Sequence, residues 1–455
     1  MKVVVVGGGI AGLAAARQLE ALVPRIEVVL VERRHRVGGV IRTEHEGTFL
    51  VECGPDSFLS RKPRGVGLAE ELGLGDKLLA RRPENARSFV RLGRDLHPLP
   101  EGLTGMIPTS LDALAASRLL TPDGQRRLAA EADLPPQPAG DDESIASFVT
   151  RRLGREAYER LVEPLTTGIY GGDGEQLSLQ ATFPQLRALE LEHGSILRGL
   201  QTQSTSREGR HPPFLSFRSG MQTLVSAAAG DLRRMTFLGI TRAVSLHALP
   251  GRYAVELEGG VIVQADGVVL ATPAWATAKL VSELDPELAE VLDEIPYAAS
   301  AIVTLGYRSD EVANPLSGYG YVVPRSEGTH VLACTWTSSK WEGRAPDDSV
   351  LLRVFVGRFE RLSDESLLRL AREEVALLGI RAEPVLARID RWPRGMPQYV
   401  LGHPARLERI DAALERHPGL ALAGAAYRGV GIPDCIHSGE EAARAVARSL
   451  AGAAR

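Results

Sequence analysis

The residues best equipped for chemistry stand near the start of the sequence. Gly7-Gly8-Gly9-Ile10-Ala11-Gly12 has the GxGxxG spacing. The first glycine permits a tight turn, the second lets the backbone approach a pyrophosphate, and the third lets a helix lie close against a strand. Alone this spacing is weak, since a glycine turn needs no ligand. Glu32, twenty residues after Gly12, gives it weight, because a carboxylate at the end of a second strand accepts hydrogen bonds from an adenosine ribose. Arg33, which joins Glu32 in this candidate cofactor site, is followed by Arg34 and Arg36, and such cations can serve the 2′-phosphate of NADP. Glu32 would repel that phosphate, so FAD or NAD fits better.

The elements needed to position this loop are legible around it. Val3–Val6 is a continuous β-branched run, as expected of a parallel strand buried on both faces, and Ile10–Leu22 is an Ala/Leu-rich helix ended by Pro24. Ile26–Val31 supplies the second strand of a βαβ unit of ~30 residues. Helix is expected around Leu68–Leu79, and buried strands at Asp266–Ala271 and Leu420–Gly424. After the last of these a helix is expected, with a capping box at Ser438–Glu441. Short β-rich segments at 252–258, 297–307, 319–323, 329–335 and 349–356 point to an inserted antiparallel sheet. The proline-rich run Asp133–Glu143 reads as a surface linker before one helix in which Ile145, Val149, Leu153, Ala157 and Leu161 recur every four residues. Phe148 and Val162 lie beside them, and core packing explains that face better than membrane contact.

Composition excludes several functions. A 455-residue chain suggests two or three lobes, and a net charge of -4 with 24% charged residues offers no electrostatic basis for nucleic acid. Cys53, Cys334 and Cys435 are odd in number and far apart, so a reducing cytoplasm and no metal site are expected. No segment approaches the roughly 20 apolar residues of a membrane span. Attachment to a membrane surface stays open.

Arg36-Val-Gly38-Gly39, followed by Ile41-Arg-Thr43, resembles the second glycine pair of the amine-oxidase-like FAD superfamily, and that resemblance favours FAD over NAD. Further segments narrow it: Val51-Glu-Cys-Gly-Pro-Asp-Ser-Phe-Leu59, Gly168-Ile-Tyr-Gly-Gly-Asp173 with Leu177-Ser178 and Thr182-Phe-Pro184, Arg218-Ser-Gly-Met-Gln222, Met396-Pro-Gln-Tyr399 and Tyr427-Arg-Gly-Val-Gly-Ile-Pro-Asp-Cys435. In that order, and spread over nearly the whole chain, they resemble the protoporphyrinogen/coproporphyrinogen III oxidases of bacterial heme synthesis. The fold implied is α/β: a Rossmann-like FAD-binding domain assembled from residues 1–80, 212–275 and 388–455, with an inserted α+β substrate domain at 81–94 and 276–387 and a helical lobe at 95–211.

The resemblance further implies that Gly54, Pro55, Asp56 and Ser57 border the FAD, that Val244 lies at the adenine end, and that Val430, Gly431 and Ile432 approach the flavin ring. It implies that Gly168, Ile169 and Tyr170 border a porphyrinogen macrocycle, and Arg61 and Lys62 are the cations best placed for its propionates. The implied reaction moves hydride from a meso carbon to flavin N5 in three rounds, with molecular oxygen reoxidising the flavin and releasing hydrogen peroxide. No general base is nominated; Tyr170, Tyr399 and His193 are better explained structurally. Lack of a long apolar surface segment within 90–210 favours a soluble protein, and resemblance to the soluble bacterial members then implies coproporphyrinogen III rather than protoporphyrinogen IX as substrate. An amine oxidase would want more aromatic side chains at the flavin than a 5% aromatic content readily supplies, and a non-catalytic flavin-binding protein should show degraded segments near the ring. A homo-oligomer or a heme-pathway partner remains compatible with the sequence.

Overall fold

Val3, Val4 and Val5 are fully buried at the centre of a five-stranded parallel sheet, as a β-branched run of this kind requires. At roughly 1.5–3 kcal/mol per buried aliphatic side chain, this strand alone anchors the layer. The computed structural model describes residues 1–104, 106–108, 110–138, 140–203 and 210–453. The sheet runs in the order Met235–Leu238, β2 (Glu27–Val31), β1 (Lys2–Val6), Gly267–Leu270 and Leu420–Leu422. Helix α1 (Ile10–Leu22) follows β1, and the long helix Ile432–Ala453 lies against it. The approach is so close that a Cβ on Gly439 would strike the carbonyl oxygen of Ala11.

A seven-stranded sheet stands beside this layer, in the order Leu386–Pro397, Tyr297–Arg308, Ser349–Gly357, Val331–Trp336, Gly320–Val322, Phe89–Leu92, Asp95–Pro98. Its pairings are antiparallel except between Gly320–Val322 and Phe89–Leu92. The sheet therefore keeps residues on both sides of two expected boundaries: it continues past 94 to Pro98, and it holds Leu386–Pro397 across 388. Arg252–Leu257, expected in this sheet, instead pairs with Ala243–Leu249 and Ile262–Ala265 in a separate three-stranded sheet.

Between Leu111 and Gln203 the described chain is largely helical around one apolar cluster. Ile145, Phe148, Val149, Leu153, Ala157, Leu161 and Val162 are all buried there, so the apolar face is core. They do not lie on one helix, however. Gly154 has a φ of +97°, which ends the helix Ile145–Leu153 and separates it from a further helical run over Arg155–Tyr170. Ala139, within the expected linker, lies outside the described residues. Helix expected over Leu68–Leu79 occupies Pro63–Glu71, and Leu78–Ala80 is a strand. Ser438 starts no helix, because the helix already begins at Ile432; its hydroxyl accepts a hydrogen bond from Gly424 N–H at 3.0 Å.

Candidate functional site

The first glycine loop is held by its own geometry. Gly7 has a φ of +108°, and a Cβ on Gly12 would overlap the Gly7 carbonyl oxygen, so strand and helix can meet only where that side chain is missing. Glu32, at the end of β2, accepts hydrogen bonds from Gly8 N–H at 2.8 Å and Arg34 N–H at 2.9 Å. A second glycine turn sits on the first: Gly38 N–H donates to Gly8 carbonyl at 2.7 Å, and a Cβ on Gly39 would lie 3.3 Å from Gly9 Cα. Arg34 and Arg36 point inward and donate to the carbonyls of that turn, Arg34 to Gly39 and Arg36 to Val37, Gly39 and Ile41. Burial pulls both guanidinium pKa values down. These arginines are structural braces, whereas Arg33 is exposed. Residues 239–241 run alongside, with Ile240 N–H donating to Arg34 carbonyl and Thr241 N–H to Glu32 carbonyl, and Val244 is exposed just beyond.

The segment Cys53–Ser57 is braced from the seven-stranded sheet and the loop beside it. Trp392 Nε1–H donates to Cys53 carbonyl at 2.8 Å and Arg353 Nη2 to Gly54 carbonyl at 2.5 Å. Asp56 accepts from Lys340 Nζ at 2.9 Å and Trp341 Nε1 at 3.1 Å, with Arg353 Nη1 3.7 Å away, and Ser57 Oγ donates to its other oxygen at 2.8 Å. Burial acts to raise the Asp56 pKa, but Lys340 and Arg353 outweigh it and hold the carboxyl well below the usual carboxylate range. Sequence pattern did not mark Lys340, Trp341, Arg353 or Trp392, because each stands between 284 and 339 residues from its partner.

The third piece is the turn from Gly424 to Asp434. Tyr399 fastens it at two points: its hydroxyl donates to Ala425 carbonyl at 2.7 Å and accepts from Gly429 N–H at 2.7 Å. His403 stacks on the Tyr399 ring with centroids 4.1 Å apart, and its Nε2 is 2.9 Å from Tyr427 carbonyl. Gly431 N–H donates to Asp434 Oδ2 at 3.1 Å, directly before the helix beginning at Ile432.

Burial lowers the His403 pKa below its usual 6.5, assisted by Arg406 and Arg428 and opposed by the bond to Tyr427 carbonyl and by Asp142. The unfolded chain thus binds the extra proton more readily, and stability must fall as pH drops below about 6.5, by up to ~1.4 kcal/mol per pH unit. His403→Gln is expected to flatten the slope of unfolding free energy between about pH 7 and 5. Equal slopes for the two proteins in urea titrations would contradict this assignment.

The expected substrate residues divide. Gly168 and Ile169 end the helix Glu163–Tyr170 and are exposed, Ile169 by 44%. Tyr170 is only 6% exposed and lies edge-on to Phe183, with its carbonyl accepting from Gln398 Nε2 at 2.8 Å. It packs against Phe183 and Tyr399, and burial pushes its hydroxyl pKa up. Lys62 is engaged: its Nζ lies 2.8 and 2.6 Å from the two oxygens of Asp434. Arg61 is exposed and has no ion pair among the described residues. His193 closes the helix Pro184–His193 in the helical lobe. The three cysteines are free thiols. Among the described residues no helix is long and apolar enough to cross a membrane, and no cluster of His, Cys, Asp and Glu could hold a metal.

A flavin cofactor suits these residues. Gly9 caps α1 without a side-chain hydrogen bond, and a Cβ added there would meet nothing within 4 Å, so the helix start opens onto free space. Comparison with known proteins agrees. A family model described as flavin containing amine oxidoreductase matches residues 10–447. A coproporphyrinogen III oxidase of Bacillus subtilis is 36% identical over 97% of this chain and 96% of its own length. A chloroplastic protoporphyrinogen oxidase of Nicotiana tabacum is 30% identical over 97% of this chain and 85% of its own. A crystal structure from Exiguobacterium, provisionally named a protoporphyrinogen oxidase, superposes with a TM-score of 0.87 at 33% identity, covering 98% of both chains. With its glycine loop, second glycine turn and braced 53–57 segment, this chain belongs to the flavin-containing amine oxidoreductase family.

Proposed function

We propose that the protein is an FAD-dependent, oxygen-using porphyrinogen oxidase of heme synthesis, converting coproporphyrinogen III to coproporphyrin III with release of hydrogen peroxide in the cytoplasm. One observation carries the substrate class. The likeness to the Bacillus subtilis coproporphyrinogen III oxidase spans 97% of this chain, so it takes in the helical lobe and the large sheet as well as the glycine loop. Protoporphyrinogen IX is the second reading, supported by the relative from Nicotiana tabacum.

In this reading Gly7–Gly12 and Glu32, with Arg33 and Val244 nearby, hold the adenosine diphosphate half, while Gly38 and Gly39 shape its floor. Gly54–Ser57 and Val430–Ile432 border the ring, and Tyr399 with His403 keeps the second of these turns in place. FAD, when bound, supplies the hydride acceptor. Gly168, Ile169 and Arg61 serve the macrocycle; Tyr170 and Lys62 act indirectly, through packing and through Asp434. The Tyr399 hydroxyl is committed at both its donor and acceptor sides, which leaves it no role as a base.

The test is to follow porphyrin fluorescence in air with coproporphyrinogen III and protoporphyrinogen IX in parallel, subtracting spontaneous oxidation. Faster turnover of the tetrapropionate supports the proposal, and preference for the dipropionate moves it to the second reading. A flavin-loaded protein that accelerates neither sinks the assignment.

A further inference from the structure

Arg81 follows the strand Leu78–Ala80 and is clamped between two aromatic rings. Its guanidinium carbon lies 4.7 Å from the centroid of Phe214 and 4.5 Å from that of Tyr319. The clamp arises from strand register: Ala80 pairs with Leu215 in the strand Phe214–Phe217, so the next residue falls opposite Phe214. Among the described residues Arg81 has no hydrogen bond and no ion pair, although it is partly withdrawn from water. Burial lowers its pKa, against the opposing influence of Tyr319 and Asp56. A cation held over two rings, with its N–H groups unengaged, is preorganised for an acceptor that comes with a ligand.

Its position suits the candidate site. Phe214 also pairs with Leu59, which is exposed and stands two residues after Ser57. Arg82 N–H donates to Lys340 carbonyl at 3.1 Å, and Lys340 is the residue that holds Asp56. Arg81 and Arg82 line a cavity of about 570 Å³ with Arg218, Glu84 and Glu342. Arg218 lies 3.5 Å from Glu342, which leaves Arg81 and Arg82 as the cations in this lining without an ion pair among the described residues.

We propose that Arg81 is a carboxylate-anchoring residue, receiving one propionate-type carboxylate of an apolar macrocycle at the edge of the site. Phe214 and Tyr319 fix the plane of its guanidinium so that two N–H groups can meet both carboxylate oxygens. The proposal rests on the porphyrinogen reading and adds to it a residue that discriminates ligands by their carboxylates.

Coproporphyrin III and its tetramethyl ester, titrated by fluorescence quenching into the oxidised flavin-loaded protein, separate the two claims. The wild type should bind the free acid more tightly than the ester. Arg81→Leu should weaken the acid by roughly 10- to 100-fold, the effect of a lost charged hydrogen-bond pair, and leave the ester within about threefold. Arg81→Gln, a milder change should the first variant fail to fold, should act in the same direction; the flavin absorbance of each variant reports whether it is folded. A flavin-loaded variant that binds the acid within about twofold of wild type, or weakens acid and ester equally, overturns the role of Arg81 and leaves the porphyrinogen reading standing. A wild type that binds neither porphyrin overturns both.

Discussion

Replacing Asp56 with Leu should destabilise the protein by about 3–5 kcal/mol and empty it of flavin. The carboxylate is held by Lys340, Trp341 and Ser57, with Arg353 close by. Removing it strands two cations in a site with little water, and such uncompensated charge costs more than the pair itself contributes. Arg353 would then be left with the Gly54 carbonyl as its remaining partner here, and the 53–57 segment would lose its brace to Lys340 and Trp341. Asp56→Asn keeps an oxygen for Trp341 and should fall between Leu and wild type. Because the folded Asp56 pKa is depressed, its contribution is complete above about pH 4 and is lost as pH falls further. Asp56→Leu should lack that acid-dependent component. Urea unfolding with flavin absorbance read in parallel checks both effects, and a loss below ~1 kcal/mol with flavin retained would mean that the cluster is not what holds this segment.

Glu131→Ala should be comparably damaging, but in the helical lobe. Glu131 is fully buried, bonded to Arg152 Nε at 2.8 Å, and it accepts from Ile196 N–H at 3.0 Å and Leu197 N–H at 3.2 Å. One carboxylate therefore both neutralises a buried arginine and caps the helix Ile196–Gln203. Without it Arg152 keeps only the carbonyls of Glu131 itself, Leu134, Pro135 and Gly194, with Glu190 3.5 Å away. The expected cost is about 3–5 kcal/mol, or a fall in Tm of roughly 3–5 °C for a chain of this length. Arg152→Met made in the same background should add little, since the partner is already lost. Calorimetry on the two single variants and the double variant measures this coupling, and strictly additive losses would refute it.

What could be read in the chain was read where local spacing is the physics. The run Val3–Val6, the glycines at 7, 9 and 12 and Glu32 all lie within one βαβ unit, so strand, turn and carboxylate meet by chain geometry. The apolar recurrence from Ile145 to Leu161 correctly marked a core face, because burial is written in side-chain type. It could not show the break at Gly154, where a glycine at positive φ turns the chain yet leaves the periodicity of burial intact. Ser438-Gly-Glu-Glu441 has the pattern of a capping box, but helices respond to tertiary neighbours, and this one starts six residues earlier and lends the serine to Gly424.

The sequence by itself therefore determined the nucleotide-type layer, the identity of the turns expected at a flavin, and the residue types of the apolar faces. Only the tertiary structure decided which charges meet. Lys62 turned to Asp434, 372 positions away, while Lys340 reached Asp56 across 284 positions and Arg353 reached Gly54 across 299. Arg81 was left between Phe214 and Tyr319 with no ion pair among the described residues. Periodicity records which side of a strand or helix avoids water, but ion partners depend on how separate sheets dock, and that docking follows from the whole packed core rather than from any local run of residues.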